Sequence, residues 1–190
     1  MARATTKPDW DALFETASTQ EGHFSTAQAG DAGFSPQLLA HHLRKGRIRR
    51  VRRKVYRLTH FPAGDHEDLV VVWLWSDRQG VFSLETALFL QGFSDAMPSR
   101  IYLTLPSSWS GRRLRTPRGV VTSYAEIEPS DRTWVGCLPV TGPGRTLDDC
   151  IEAAVSPEIV VQALQQASDR GLIDSRTQAR IRRRLRRSEG

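Results

Sequence analysis

The chain has 190 residues, 39% hydrophobic and 25% charged, which suits one large domain or two small ones with a real core and excludes disorder along the whole length. Its net charge of +6 is unevenly spread: residues 1–62 hold eleven Lys/Arg against five Asp/Glu, residues 63–175 nine against fifteen, and residues 176–190 seven against one. Basic ends around an acidic middle point to a polyanion partner for the ends, or to one part docking onto another. Two cysteines, Cys137 and Cys150, cannot build a disulfide framework and lack zinc-site spacing, so they read as reduced core thiols of a cytosolic protein. The N-terminal "MARATTKPDWDAL" has no apolar stretch of signal-peptide length, and the longest apolar run, Leu69 to Trp75, is too short to span a bilayer. The expectation is a soluble, cytoplasmic protein with no membrane contact.

Along the chain, Asp9 to Thr19 sets Trp10, Leu13, Phe14 and Ala17 at helical spacing, and Gly22 stops that first helix. His23 and Phe24 follow as a short extended piece. Ser25 and Gln28 then form a capping box that opens a second helix ending near Gly30. In "GFSPQLLAHHLRKG" Ser35 is an N-cap, Pro36 takes the first helical position and Gly46 is the stop. Leu39 and Leu43 share one face of this third helix with His42 beside them, whereas Gln37, His41, Arg44 and Lys45 project elsewhere.

"LRKGRIRRVRRKVYRL", residues 43–58, has nine basic residues and no acidic one, with Ile48, Val51, Val55, Tyr56 and Leu58 spaced through it. The period changes here to that of two short strands joined near Arg52 to Lys54, a β-hairpin with a cationic tip. Three short helices and a basic hairpin make a winged helix-turn-helix, whose third helix enters the major groove while the hairpin follows the phosphates. The apolar residues pin the hairpin to the helices and the arginines face DNA. The expected base contacts are Gln37 and His41; Arg44, Lys45, Arg50, Arg52, Arg53 and Lys54 are the expected phosphate contacts. The competing reading is a merely solvated basic face, against which stand the capped helices that the charges flank.

"HFPAGDHED" is a Pro/Gly/Asp-rich link that places a domain boundary near residue 63, giving units of 1–62 and 63–190. Asp68 to Trp75 fits either a buried helix or a buried strand. "SLETALFLQGFSD" reads as a helix with Ser83 as cap and Gly92 near its end, and "RIYLTLP", "RGVVTSYAEI" and "TWVGCLPV" are β-like. "RTLDDCIEAAV" and "SPEIVVQALQQASDRG" are amphipathic helices. A final helix, Asp174 to Arg187, buries Ile181 and Leu185 and lines up Arg176, Arg180, Arg183 and Arg187. Three readings of that basic face stay open: a solvated helix end, a second DNA contact, or a surface for an acidic protein. The fold class is therefore α+β, an N-terminal winged helix-turn-helix followed by a mixed α/β domain ending in a basic helix.

"FSTAQAGDAGFSPQLLAHHLRKGRIRRVRRKVYRL" resembles the N-terminal winged helix of AbiEi-type antitoxins. "SLETALFLQGFSD", "IYLTLP" and "LPVTGPGRTLDD" fit the same proteins, the last through Val140-Thr141 and Arg145-Thr146-Leu147 followed by Asp149. The resemblance covers most of residues 8–175, with one departure: the family's wing usually has glycine where Lys54 stands. It implies a transcriptional repressor and antitoxin of a type IV toxin–antitoxin operon, encoded beside a nucleotidyltransferase-like toxin. The winged helix would bind inverted repeats in double-stranded DNA of its own promoter, and the C-terminal domain would counteract the toxin.

Enzyme readings find little to use. The only lysines are Lys7, Lys45 and Lys54, so neither a phosphate loop ending in Lys nor a carboxylate–Lys nuclease site fits residues 63–190. No Gly-Ser with a following Asp-x-Asp pair is present, which sets the chain apart from the nucleotidyltransferase partner. Asp148 and Asp149 read as charges complementing a helix N-terminus. His41-His42 diverge by about 100° on a helix and have no third ligand nearby, so no metal is expected. Ser107, Ser108 and Ser110 lack a His partner, and the five tryptophans read as core. No catalytic residue and no cofactor is expected. Two rivals to the antitoxin reading are a stand-alone regulator with a ligand- or protein-sensing second domain, and an enzyme targeted to DNA by its winged helix.

Overall fold

The computed structural model describes residues 7–93 and 98–188. Ser94 and Asp95 of the 83–95 motif, and residues 1–6 of the N-terminal stretch weighed as a signal peptide, lie outside the described residues. The chain divides into two compact units, residues 1–78 and 79–190.

In the first unit α1 (Trp10–Ser18) starts where the Asp9 carboxylate accepts the Ala12 N–H at 3.0 Å. It ends at Ser18, and the turn that follows closes at Gly22, whose φ of +79° suits glycine and whose added Cβ would lie 2.6 Å from Phe61 Cγ. After β1 (His23–Ser25) comes α2 (Thr26–Asp31), opened by a reciprocal capping box. The Gln28 N–H donates to Ser25 Oγ at 3.1 Å, and the Ser25 N–H donates to Gln28 Oε1 at 2.9 Å. Buried Gln20 joins them: it accepts from Gln28 Nε2 at 2.9 Å and donates to the Thr16 and His23 carbonyls, both at 3.1 Å. The polar groups inside this corner are thereby satisfied.

α3 (Pro36–Arg44) is capped by Ser35, which accepts the Leu38 N–H at 3.2 Å, and it has Pro36 at its first position. The hairpin is β2 (Ile48–Arg52) with β3 (Val55–Leu58), and β1 adds on the other side of β3 to give an antiparallel sheet in the order β1-β3-β2. Leu13, Ala17, Phe24, Ala29, Phe34, Leu39, Ile48, Tyr56 and Leu58 form one core between sheet and helices. This is a winged helix. Two apolar assignments differ from expectation. Phe14 is 54% exposed, on the rim of α1 near the Phe61 ring. Val51 is 42% exposed: three residues from inward-facing Ile48, it falls on the opposite face of β2, and it is the residue skipped where the ladder with β3 slips between Arg50 and Arg52.

The segment 68–75, open between helix and strand, is α4 (Glu67–Trp75), buried at six of its nine positions and packed against β1 and β3. The division between units therefore falls after Arg78 rather than near residue 63. The Pro/Gly link does not separate domains, since α4 beyond it closes the first one.

The second unit has a mixed sheet in the order β6-β5-β4-β8-β7. Its strands are β4 (Val81–Phe82), β5 (Ile101–Leu105), β6 (Val120–Tyr124), β7 (Arg132–Val135) and β8 (Leu138–Thr141). β5 runs parallel to β6 and antiparallel to β4; β8 runs parallel to β4 and antiparallel to β7. The stretch "TWVGCLPV" is thus a hairpin turning at Gly136 (φ +57°), not one strand. Cys150 is a core residue, whereas Cys137 is half-buried at that turn. Trp134 is 57% exposed on edge strand β7, against the expectation of a core tryptophan.

α5 (Leu84–Leu90), α6 (Pro143–Glu152), α7 (Pro157–Asp169) and α8 (Ser175–Ser188) share a core of Leu88, Leu147, Cys150, Val160, Leu164, Ile181 and Leu185 with their neighbours. Burial pushes the Cys150 thiol up to about 12, so it is an inert packing group. A polar knot ties α5 and α6 to β8. Gln91 Nε2 donates to the Thr141 carbonyl at 3.2 Å and to Thr146 Oγ1 at 3.3 Å, and the Thr141 and Thr146 hydroxyls lie 2.7 Å apart.

Candidate nucleic-acid interface

α3 is oriented by what it buries. Leu39 and His42 face the core; Trp10 meets the His42 ring edge-on at 4.7 Å between centroids, and Phe34 does so at 6.0 Å. Burial lowers the His42 pKa below 6.5, and the nearby Arg47 and His41 lower it further. Its Nδ1 is buried without a hydrogen-bond partner, so a neutral imidazole packs there as an aromatic wedge. Anchoring this side turns Gln37, His41, Arg44 and Lys45 outward, and all four are exposed. Gln37 and His41 stand one turn apart on the same face.

The hairpin places Arg50, Arg53 and Lys54 in solvent and Arg52 half-buried, with Arg47 and Arg49 also exposed. Arg50 is braced: its guanidinium sits over the Tyr56 ring at 5.5 Å from the centroid, and Nη2 donates to the Tyr56 hydroxyl at 3.3 Å. Lys54 occupies the turn with φ +66°, the left-handed conformation that glycine adopts without cost. The tip thus keeps the backbone shape that a glycine would give while carrying a cation.

One arginine of the basic run departs from the expectation that all face outward. Arg57 is 4% exposed. Its Nη2 donates to the Phe61 carbonyl at 3.0 Å, the Pro62 carbonyl at 2.9 Å and Glu67 Oε1 at 2.5 Å, and its Nη1 to the Leu58 carbonyl at 3.2 Å. Burial alone would raise the Glu67 carboxyl. The hydrogen bonds from Arg57 and the Gly64 N–H, with the Arg57 charge, outweigh it and hold Glu67 below its ordinary value. No sequence signal separates Arg57 from Arg49 across the ladder: Glu67 holds the buried Arg57 at 2.5 Å and reaches the exposed Arg49 only at 3.8 Å.

In the second unit the expected basic face of α8 is partly spoken for. Arg176, Arg183 and Arg187 are exposed, but Arg180 and Arg184 both donate to the Asp148 carboxylate, Arg184 at 2.7 Å. Asp148 and Asp149 lie beyond the first turn of α6, so the helix dipole does not account for them. Asp149 accepts from Arg145 Nε at 2.7 Å, and Arg145 Nη1 reaches Asp131 at 3.3 Å. Burial raises the Asp149 pKa even against the pull of Arg145. Among the described residues no cluster of His, Cys, Asp and Glu has the geometry to hold a metal, and no helix is long and apolar enough to cross a membrane.

No curated protein matches the chain. Among solved structures, the crystal structure of the RV2827C protein from Mycobacterium tuberculosis is similar with a TM-score of 0.46 and 17% identity, covering 90% of this chain and 79% of that one. Residues 11–59, from the first turn of α1 to the end of β3, match the family described as "Transcriptional regulator, AbiEi antitoxin". That segment holds α1, β1, α2, α3 and the hairpin, so the likeness to the family lies within the first unit.

Proposed function

We propose that the chain is a DNA-binding repressor that acts on its own promoter through inverted repeats, and the antitoxin to a nucleotidyltransferase-like toxin encoded beside it. The observation that carries this reading is the outward set on the first unit. Gln37 and His41 share one exposed face of α3, and Arg50, Arg52, Arg53 and Lys54 crowd the hairpin tip. Gln37 and His41 read base edges in the major groove, where a good contact discriminates by about 1–3 kcal/mol. Arg44, Lys45 and the hairpin cations fall on phosphates and fix register without reading sequence. No residue is given a catalytic role, and the protein works in the cytoplasm. The second unit counteracts the toxin.

The test uses the full chain on the DNA upstream of its own reading frame and on a shuffled duplex. Footprinting should show two related half-sites in inverted orientation, with the promoter bound far more tightly. Equal affinity for both duplexes would remove sequence-specific repression. Separately, the neighbouring reading frame should arrest growth when expressed alone and spare it when this chain is co-expressed. Arrest that this chain does not relieve would remove the antitoxin role.

A further inference from the structure

α8 carries seven arginines between positions 176 and 187 and no acid among them, and its packing sorts them into three sets. Ile181 and Leu185 are buried in the helical core, which fixes the inward direction. At about 100° per residue, Arg180 and Arg184 lie on one flank of that seam, Arg182 and Arg186 on the other, and Arg176, Arg183 and Arg187 on the outer face.

The first flank is filled from within the chain. Arg180 and Arg184, one turn apart, close on the single carboxylate of Asp148, whose side chain is only 15% exposed. The second flank repeats the same one-turn pair, yet among the described residues Arg182 and Arg186 have no ion pair or hydrogen bond. They border a groove of about 210 Å³ between α7 and α8, lined also by Val161, Leu164, Gln165 and Leu185. Val161 is 51% exposed there.

We propose that this groove docks an acidic amphipathic helix of a partner protein. Its Asp or Glu is taken by Arg182 and Arg186, and its adjacent apolar side chain rests on Val161 and Leu164. Charge complementarity selects the carboxylate, and the Asp148 clasp on the opposite flank shows the same arginine spacing gripping one. The apolar floor selects a protein over a nucleic acid, because a phosphate backbone has nothing to fill it. The inference does not depend on DNA binding by α3 and the wing.

The probe is a displayed library of helical peptides, varied among Asp, Glu, Lys, Gln, Leu, Ile and Phe on one face and selected against the full-length protein. Enriched helices should pair an acid with an apolar residue one turn away. The double variant Arg182→Gln/Arg186→Gln should weaken their binding by about tenfold or more, as loss of charge-assisted hydrogen bonds requires. Val161→Asp should do the same from the groove floor. Arg176→Gln/Arg183→Gln/Arg187→Gln should change binding by less than about threefold, being screened and off the groove. Gln keeps helix propensity close to Arg, so unchanged thermal unfolding verifies folding of the arginine variants. The proposal is overturned if selection enriches no acidic–apolar helix, or if enriched helices bind the double variant as they bind wild type. It is equally overturned if the double variant loses only affinity for duplex DNA, or only self-association.

Discussion

The carbonyl of Lys54 accepts the backbone N–H of Thr26 at 2.9 Å, fastening the hairpin tip to the first residue of α2. Lys54 makes this bond from a left-handed backbone with φ +66°. A side chain there costs roughly 1–2 kcal/mol by steric clash, of which glycine's larger unfolded-state entropy returns a part. Lys54→Gly should therefore stabilise the first unit by about 0.5–1 kcal/mol, read in denaturant melts. It should also flatten the salt dependence of DNA binding by about 0.9 in log–log slope, for one lost phosphate contact. A stabilised variant with an unchanged slope would mean that the Lys54 ammonium does not touch DNA.

Arg57 and Glu67 make stability depend on acid. Glu67 is depressed from its ordinary 4.5 in the folded state. The pair's contribution is therefore complete above that value and is lost as pH falls through the lower folded value. Glu67→Gln should destabilise the unit toward the lower end of about 3–5 kcal/mol, since Arg57 keeps its carbonyl acceptors. The variant should also lose part of the acid sensitivity of wild type below about pH 4.5. Parallel stability–pH curves for the two proteins would show that the pair contributes nothing in that window.

Arg52→Ala with Arg53→Ala should weaken operator and shuffled DNA by similar factors, because phosphate contacts carry no sequence information. With about five phosphates neutralised, log K should fall against log salt with a slope near −4 to −5, and the double variant should lose about 0.9 per contact. An unaltered slope places the wing away from the backbone.

Gln37→Ala or His41→Ala should change which sequences are preferred more than the affinity for all DNA. Binding selection from a random duplex pool reads this directly. The same consensus from wild type and both variants would rule out base reading by α3.

Local signals made much of the first unit legible. Ser25 with Gln28, Ser35 with Pro36, and Gly46 each mark a helix end, because a cap is chemistry within a few residues of chain. Features set by distant partners were not legible. Arg57 looks like any other arginine of the run until Glu67 is placed beside it, and Asp148 meets Arg180 from 32 positions away. Val51 is apolar but stands three residues from inward-facing Ile48, so strand alternation turns it outward. β4 is two residues long, too short for any alternation, and only its neighbours β5 and β8 make it a strand. The outward residues of α3 follow from which face its leucines bury. Whether a given one reads a base depends on DNA, which the chain's own pattern does not describe.

The position of Arg57 also sets how the first unit can be dissected. The family segment ends at residue 59, just short of the Phe61 and Pro62 carbonyls and the Glu67 carboxylate that hold this guanidinium. A piece cut at residue 59 or 62 would strand a buried cation and strip α4 from the back of β1 and β3. The smallest transplantable unit is therefore longer than the segment that the family model matches, and grafts of it should carry the chain through Arg78.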